Sequence, residues 1–399
     1  MSRIPAKLQP MWPVLKAGHR LGARAVGLAG RHLGGARRGL PWTATDTSRE
    51  TAAIEPATAV LHPVAAADTL IRSHPEGTPT PHVQFAKRLV HRIPETYVLD
   101  LSEGVVLGRH AAVVTAGGRL DHESSQYFGC VRWTENPVFW NAWPRQPERV
   151  DGTAALLAAR GTGRNYYHFL IDAIPRVGLL EQAFPEIVPD VWIADRRSRY
   201  QRTLLAMVGV DEDRVVEPKP GFAIRARRLL VPSLPDADML VSPATTAWLN
   251  EHLPAKVTSD LPTHVYITRG DTPNSRRFVH EAELLDRLSK RGFVRIDPGQ
   301  LSVQEQIDHF AAARVVIAPH GAALANLVFC RPGVRVLEMF APGFVSGCYW
   351  SIATNIPDAR YRYVVAPGRA GRDASHALMQ DIRLAPAAGE EALDQLLAD

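Results

Sequence analysis

Four residues in the run Asn165–Arg176 carry the first chemical signal. Asn165, His168, Asp172 and Arg176 recur at steps of three and four, the spacing that places side chains along one face of a helix. That face holds an amide, an imidazole, a carboxylate and a guanidinium. A solvated helix face more often carries Lys, Glu and Gln. The chemistry open to such a stripe is proton transfer, with Asp172 or His168 as general base. It can equally be a polar face tied into neighbouring loops, since structural ion-pair networks are common.

A second signal lies in Ile317-Ala318-Pro319-His320-Gly321-Ala322-Ala323-Leu324-Ala325-Asn326. An apolar strand runs into a small-residue turn and then a helix. Gly321 and Ala322 let a ligand approach the backbone, and the first helical amides point at it, which makes an anion site. The run is neither a G-x-G-x-x-G fingerprint nor a Walker loop, and plain helix–sheet packing also uses small residues. His320 can cap the turn or touch the ligand.

Arg269, Arg276 and Arg277 stand in the loop after the strand His264–Thr268. Such sheets bind ligands beyond the C-terminal ends of their strands, and arginine forks suit a diphosphate. Glu338 closes another buried strand, where a carboxylate must be paired or face a cleft. It can accept from ribose hydroxyls or pair with Arg335 or another basic group. Two acidic triplets, Asp211-Glu212-Asp213 and Asp236-Ala237-Asp238, have the spacing to hold a divalent metal against a diphosphate. The first reads as a solvated turn.

The elements that must position these residues follow from periodicity. Tyr166, Leu170, Ala173, Ile174, Val177 and Leu180 give the polar stripe an apolar opposite face. Asn165 can cap that helix, and Pro175 should kink it near Asp172. From Ala154 onward, short apolar strands alternate with helices, which implies parallel sheets covered by helices. The aromatic run from Tyr127 to Trp143 reads as a loop anchored by buried rings or as a surface that stacks on a sugar. We divide the chain into a basic and irregular tail and linker over 1–90, an α/β domain over 91–255, and a second α/β domain over 256–399.

Composition narrows the classes. The chain has 399 residues, 46% of them apolar and 22% charged, as in a globular protein. No run approaches the roughly 18 apolar residues of a membrane span. Cys130, Cys330 and Cys348 fit neither a zinc spacing nor a disulfide framework, which points to a reducing, cytoplasmic setting. Met1 to Thr45 contains no acidic residue but eight basic ones between Arg3 and Arg38. That stretch reads as a disordered basic tail, a membrane-surface segment or a partner-binding arm. Without it the chain is near neutral, which argues against a nucleic-acid groove.

Together, three segments resemble glycosyltransferase family 61, which includes bacterial proteins of the capsular polysaccharide biosynthesis type. Asn165 through Arg176 is similar to the family's N-x-x-H-x-x-x-D-x-x-P-R segment. Thr268-Arg269 with Ser275-Arg276-Arg277 is similar to its arginine loop, with Thr268 in place of the usual Ser and a longer spacing. His320-Gly321-Ala322 through Asn326 to Glu338 is similar to its H-G-A-x-L-x-N … P-G … E segment. The resemblance covers about 160–340.

The resemblance implies a GT-B-like α/β fold, two Rossmann-type parallel-sheet domains facing across a cleft, with 91–255 on the acceptor side and 256–399 binding the nucleotide-sugar. It implies inverting sugar transfer from a nucleotide-sugar, UDP-linked in our expectation, to a glycan or glycolipid acceptor, without a bound metal or other cofactor. Asp172 is then the first choice of base, with His168 orienting it or taking the proton itself. Arg269, Arg276, Arg277, His320, Gly321, Ala322, Asn326 and Glu338 would form the donor site, with Asn165 and Arg176 supporting. Two other functions stay open: a non-catalytic sugar-nucleotide-binding subunit of an assembly system, and a metal-dependent transferase using Asp236 and Asp238. A nucleotide-sugar epimerase or dehydrogenase is disfavoured by the missing G-x-G-x-x-G.

Overall fold

The computed structural model describes residues 38–76, 82–141, 144–257, 259–270, 277–369, 377 and 380–398, with a few positions between 15 and 29. Most of the basic stretch before Arg38, and Arg276, lie outside these residues.

The described residues form two large sheets and a ribbon. In chain order the first strands are β1 (Thr43–Thr45), β2 (Ala59–Ala65), β3 (Asp68–Ile71), β4 (Val90–Ile93), β5 (Thr96–Ser102), β6 (Val105–Leu107), β7 (Ala112–Val114) and β8 (Arg119–Asp121). They are followed by β9 (Glu148–Leu156), β10 (Val191–Ile193), β11 (Val215–Val216) and β12 (Ala223–Pro232). Strands β3 and β4 pair with each other as the ribbon; the rest make a ten-stranded sheet. Next come β13 (His264–Ile267), β14 (Val294–Ile296), β15 (Val315–Pro319), β16 (Arg335–Phe340) and β17 (Arg360–Val365). They form a five-stranded sheet in the order β14-β13-β15-β16-β17, every pair parallel.

The second sheet agrees with the parallel expectation. The first departs from it. Strand β12 runs parallel to β9 but antiparallel to β5 and β6. Strands β5 and β6 follow one another along the same side of β12 with a break at Glu103-Gly104, a short turn joins β6 to its antiparallel neighbour β7, and such neighbours need no crossover helix. Residues 43–93, expected as irregular linker, hold β1 to β4 and the capped helix Ser48–Ile54. Strand β2 escapes a periodicity reading because Pro63 interrupts it; the ladder to β5 shifts register between Pro63 and Ala65. Strand β12 is masked by Arg225, Arg227 and Arg228, of which Arg228 pairs with Asp100 on β5 at 2.7 Å.

The helix of the polar stripe is interrupted. Tyr166–His168 is α-helical, Phe169–Ala173 is a π-turn, and Arg176–Ala183 is α-helical again. Pro175 supplies no amide, and its ring would crowd the carbonyl four residues back. The chain widens instead, and the Ile174 amide donates to the Phe169 carbonyl five back, at 3.1 Å. Residues 167–180 are buried on every side, so no solvated face remains.

One apolar cluster runs from Phe169, Leu170 and Ile174 through Val316, Leu324 and Leu327 to Phe340 and Trp350. The two sheets therefore share a core. The segment between β3 and β4 straps them together. Arg72 donates to Val241 and Ser351 carbonyls, the latter at 2.8 Å, and Phe85 packs on Trp350 and Tyr363.

Candidate active site

The π-turn sets the first half of the site. It brings His168 Nδ1 to 2.7 Å from Asp172 Oδ2, both side chains nearly enclosed. Asn165 caps the helix start by accepting from the Tyr167 amide at 3.0 Å. Behind the imidazole runs the loop after β9. Gly161 has φ +82°, and a Cβ there would stand 2.5 Å from His168 Cδ2. Thr162 pins the loop by donating to Asp195 Oδ2 at 2.6 Å, and Gln201 donates to the Thr162 carbonyl. Burial pushes the Asp195 carboxyl up to about 6, against the hydrogen bond from Thr162.

Arg176 does not reach a ligand as a free cation. Its guanidinium is buried and donates to the carbonyls of Leu157, Ala158 and Pro232, at the ends of β9 and β12. Burial lowers it to about 10, while the charge of Asp172 acts the other way. It ties the C-terminal edges of two parallel strands to the helix that carries His168 and Asp172.

The second half lies at the end of β15. His320 donates its amide to Met339 at 2.9 Å, and its Nδ1 bonds Glu338 Oε1. Glu338 is fully buried, and Tyr361 donates to its other oxygen. Burial and then the Glu338 charge hold the Tyr361 phenol well above its ordinary value. Glu338 thus faces inward, toward His320, and not toward a cleft where a ribose would lie; Arg335 instead donates to Leu397. Arg269 reaches the same turn and donates to the His320 carbonyl. A Cβ on Gly321 would come within 2.2 Å of Arg269 Nη1, so any larger residue there would displace the tip of that side chain.

The run after the turn, Ala322–Phe329, is a 3₁₀ helix where an α-helix was expected, and no side chain caps it. Its opening amides have no intrahelical acceptor. Asn326 is buried and bridges Tyr166 and Gln306.

The two histidines are joined by rings. His168 and Tyr167 lie 5.3 Å apart, Tyr167 and Tyr349 5.8 Å, and Tyr349 and His320 5.1 Å, between centroids. Segments separated by about 150 residues of chain therefore meet at one place. On the other side of His168 sits Phe128, 5.2 Å away and 47% exposed. Within the aromatic run Phe139 is buried as an anchor, while Phe128 is partly exposed beside the histidine.

Other predicted residues lie elsewhere. Arg277 is exposed, and its backbone pairs with Asp381 and Ile382. Asp211 caps an exposed 3₁₀ turn through the Asp213 amide. Asp236 is buried with Oδ1 on the Ser242 amide, while Asp238 is exposed. Sequence reasoning missed Tyr349, in a short helix, and Tyr361, whose signal was the alternation Arg360-Tyr361-Arg362-Tyr363. It missed Gly161 too, whose only signal was a Gly-x-Gly in the loop before Asn165.

Residues 166–337 match the family model described as Glycosyltransferase 61. No curated protein matches the chain. The family match supports a glycosyltransferase, with a sugar donor and a glycan acceptor as its substrates.

Proposed function

We propose that this chain is an inverting glycosyltransferase that moves a sugar, hexose or pentose, from a nucleotide-sugar to a glycan or glycolipid acceptor in bacterial cell-surface polysaccharide synthesis of the capsular type. The observation that carries the reading is the meeting of the His168–Asp172 pair with the His320 turn through Tyr167 and Tyr349. A base and an anion-binding turn belong on opposite sides of one reacting carbon.

Asp172 sits on His168 Nδ1, so the ring's other nitrogen, Nε2, is the better base, with Asp172 fixing the tautomer. This reverses the order suggested by the sequence. Nε2 takes the proton of the acceptor hydroxyl, and that oxygen attacks the anomeric carbon. The bond from that carbon to the diphosphate oxygen breaks, and the electron pair leaves with the nucleoside diphosphate. Preorganised donors at the leaving group lower this barrier most. Arg269, the Gly321 and Ala322 backbone, and the open amides after them supply these donors in our reading. His320 shapes the turn, held by Glu338.

We read the donor as UDP-linked and the reaction as independent of a resident metal. Arg269 at the turn supports this. The two sheets correspond to the two halves of a GT-B arrangement, here fused by a common core. We place the enzyme in the cytoplasm, touching the inner membrane surface through its basic N-terminal residues. No helix among the described residues is long and apolar enough to cross a membrane. Salt-sensitive binding to anionic vesicles, lost on removing the basic stretch, tests that contact.

The deciding experiment is a melting panel with UDP, GDP, CMP, ADP and NAD, each with EDTA or manganese. A ligand at a hundred times its Kd adds about 2.7 kcal/mol. A shift with one nucleoside diphosphate that survives EDTA is expected. A shift with NAD alone, or with none, overturns the donor assignment. A shift only with manganese favours the metal-dependent route. Nucleotide binding without turnover on any acceptor favours a non-catalytic subunit.

A further inference from the structure

A cavity of about 210 Å³ opens beyond the C-terminal ends of β9 and β12. Glu95, Glu123, Arg160, Arg176, Asp236 and Asp238 are among its lining residues. We propose that it receives a single sugar ring, the terminal residue of the acceptor, and that Asp236 reads one of that ring's hydroxyls. The proposal rests on the glycosyltransferase reading and extends it to the acceptor.

Position is the first argument. Arg176 lies one turn beyond Asp172 on the catalytic segment. Arg160 stacks over Phe128 at 5.5 Å, and Phe128 meets the His168 ring. Asp236 lies close enough to Asp172 to feel its charge. Tyr167 donates to the Met239 carbonyl at 3.2 Å, which ties the loop carrying Asp236 to the same helix.

The second argument is two buried polar atoms with nothing to bond. Asp236 is 8% exposed, and its Oδ2 has no hydrogen-bond partner among the described residues; neither has Arg160 Nε. Leaving such atoms unpaired is costly, and a ligand that supplies both a donor and an acceptor removes the cost.

Charge and size then select the ligand. An anion entering the cavity would face four carboxylates, and a cation would face two guanidinium groups. A neutral polyol suits both, because each hydroxyl donates and accepts. The volume falls below the ~300–1,000 Å³ typical of drug-sized ligands, so one ring fits and the remaining glycan extends into solvent. Burial pushes the Asp236 carboxyl up to about 7, with Ser242 opposing and Asp172 adding to the rise. Near neutrality the group can therefore either donate to a hydroxyl or accept from it.

The test is saturation-transfer NMR on the full chain with methyl glycosides of glucose, galactose, mannose, N-acetylglucosamine and xylose. Wild type, Asp236→Asn and Asp236→Ala are compared, each checked for an unchanged circular dichroism spectrum. At least one glycoside is expected to bind wild type, and to bind Asp236→Ala at least about tenfold more weakly. Asp236→Asn keeps the volume and separates a lost contact from a collapsed cavity. The proposal is overturned if no glycoside binds wild type up to about 50 mM, or if Asp236→Ala binds as well as wild type; the cavity then holds structural water. Glycoside binding without any nucleotide-induced melting shift would instead count against the donor site alone.

Discussion

Tyr166 Oη donates to Asn326 Oδ1 at 2.6 Å, joining the start of the helix that carries His168 and Asp172 to the 3₁₀ helix after the His320 turn. Asn326 passes the link on by donating to Gln306 Oε1 at 3.0 Å. The two halves of the candidate site are thus held in register by a hydrogen bond between residues far apart in sequence. In Tyr166→Phe, the buried Oδ1 loses its donor at a cost of about 1–3 kcal/mol. A lower urea midpoint with an unchanged m-value is expected. An unchanged midpoint would mean that water replaces the phenol and the bridge adds nothing.

Base identity separates His168 from Asp172. If His168 is the base, His168→Ala abolishes turnover, whereas Asp172→Asn leaves a weaker enzyme, slowed by about 10²–10⁴-fold. Nucleotide-induced melting shifts should survive in both. Normal turnover in either variant removes that residue from the mechanism. A less active Asp172→Asn than His168→Ala would restore Asp172 as the base.

Gly161→Ala adds a Cβ where none fits. Its φ of +82° is strained for alanine, and the methyl would press on His168. Turnover should fall together with a loss of about 1–2 kcal/mol in stability. A fully active variant would show that the loop yields without moving the imidazole.

Arg269→Ala should weaken nucleoside-diphosphate affinity by roughly 10–100-fold, the range for a hydrogen bond to a charged group. Nucleoside binding, which lacks the phosphates, should change little. Equal losses for UDP and uridine, measured by calorimetry, would place Arg269 in the turn's structure and not at the diphosphate.

Acid should loosen the strap between the halves. His91 Nδ1 accepts from the Arg72 guanidinium, so a proton there meets a cation. Burial, followed by the Arg72 charge, lowers His91 from 6.5 to about 4, with Asp238 opposing. Above 6.5 the folded and unfolded chains both hold it neutral. As pH falls from 6.5 toward 4, the unfolded chain takes a proton that the folded one refuses, and stability drops by at most about 3 kcal/mol. A melting profile of His91→Gln should be flatter than wild type over that window. Parallel profiles would assign the acid loss to other groups.

The sequence by itself determined the local events. Ser302 and Glu305 form the capping box that their spacing foretold, Asn165 caps its helix, and four of the five parallel strands of the second sheet, all but β17, stand where apolar runs predicted them. Each depends on a few neighbouring residues, so it is written in a short window. Tertiary structure decided the rest. Pro175 announced a break, but only packing against a fully buried core turned it into a π-turn that sets His168 on Asp172. Glu338 was legible as a buried carboxylate in need of a partner. Its partners proved to be His320 and Tyr361, 18 and 23 residues away and on neighbouring strands or turns. The same holds for Arg269 on Gly321 and Tyr166 on Asn326. Which distant groups satisfy a buried polar atom depends on strand order and on a shared core, and no period or motif in the chain encodes either.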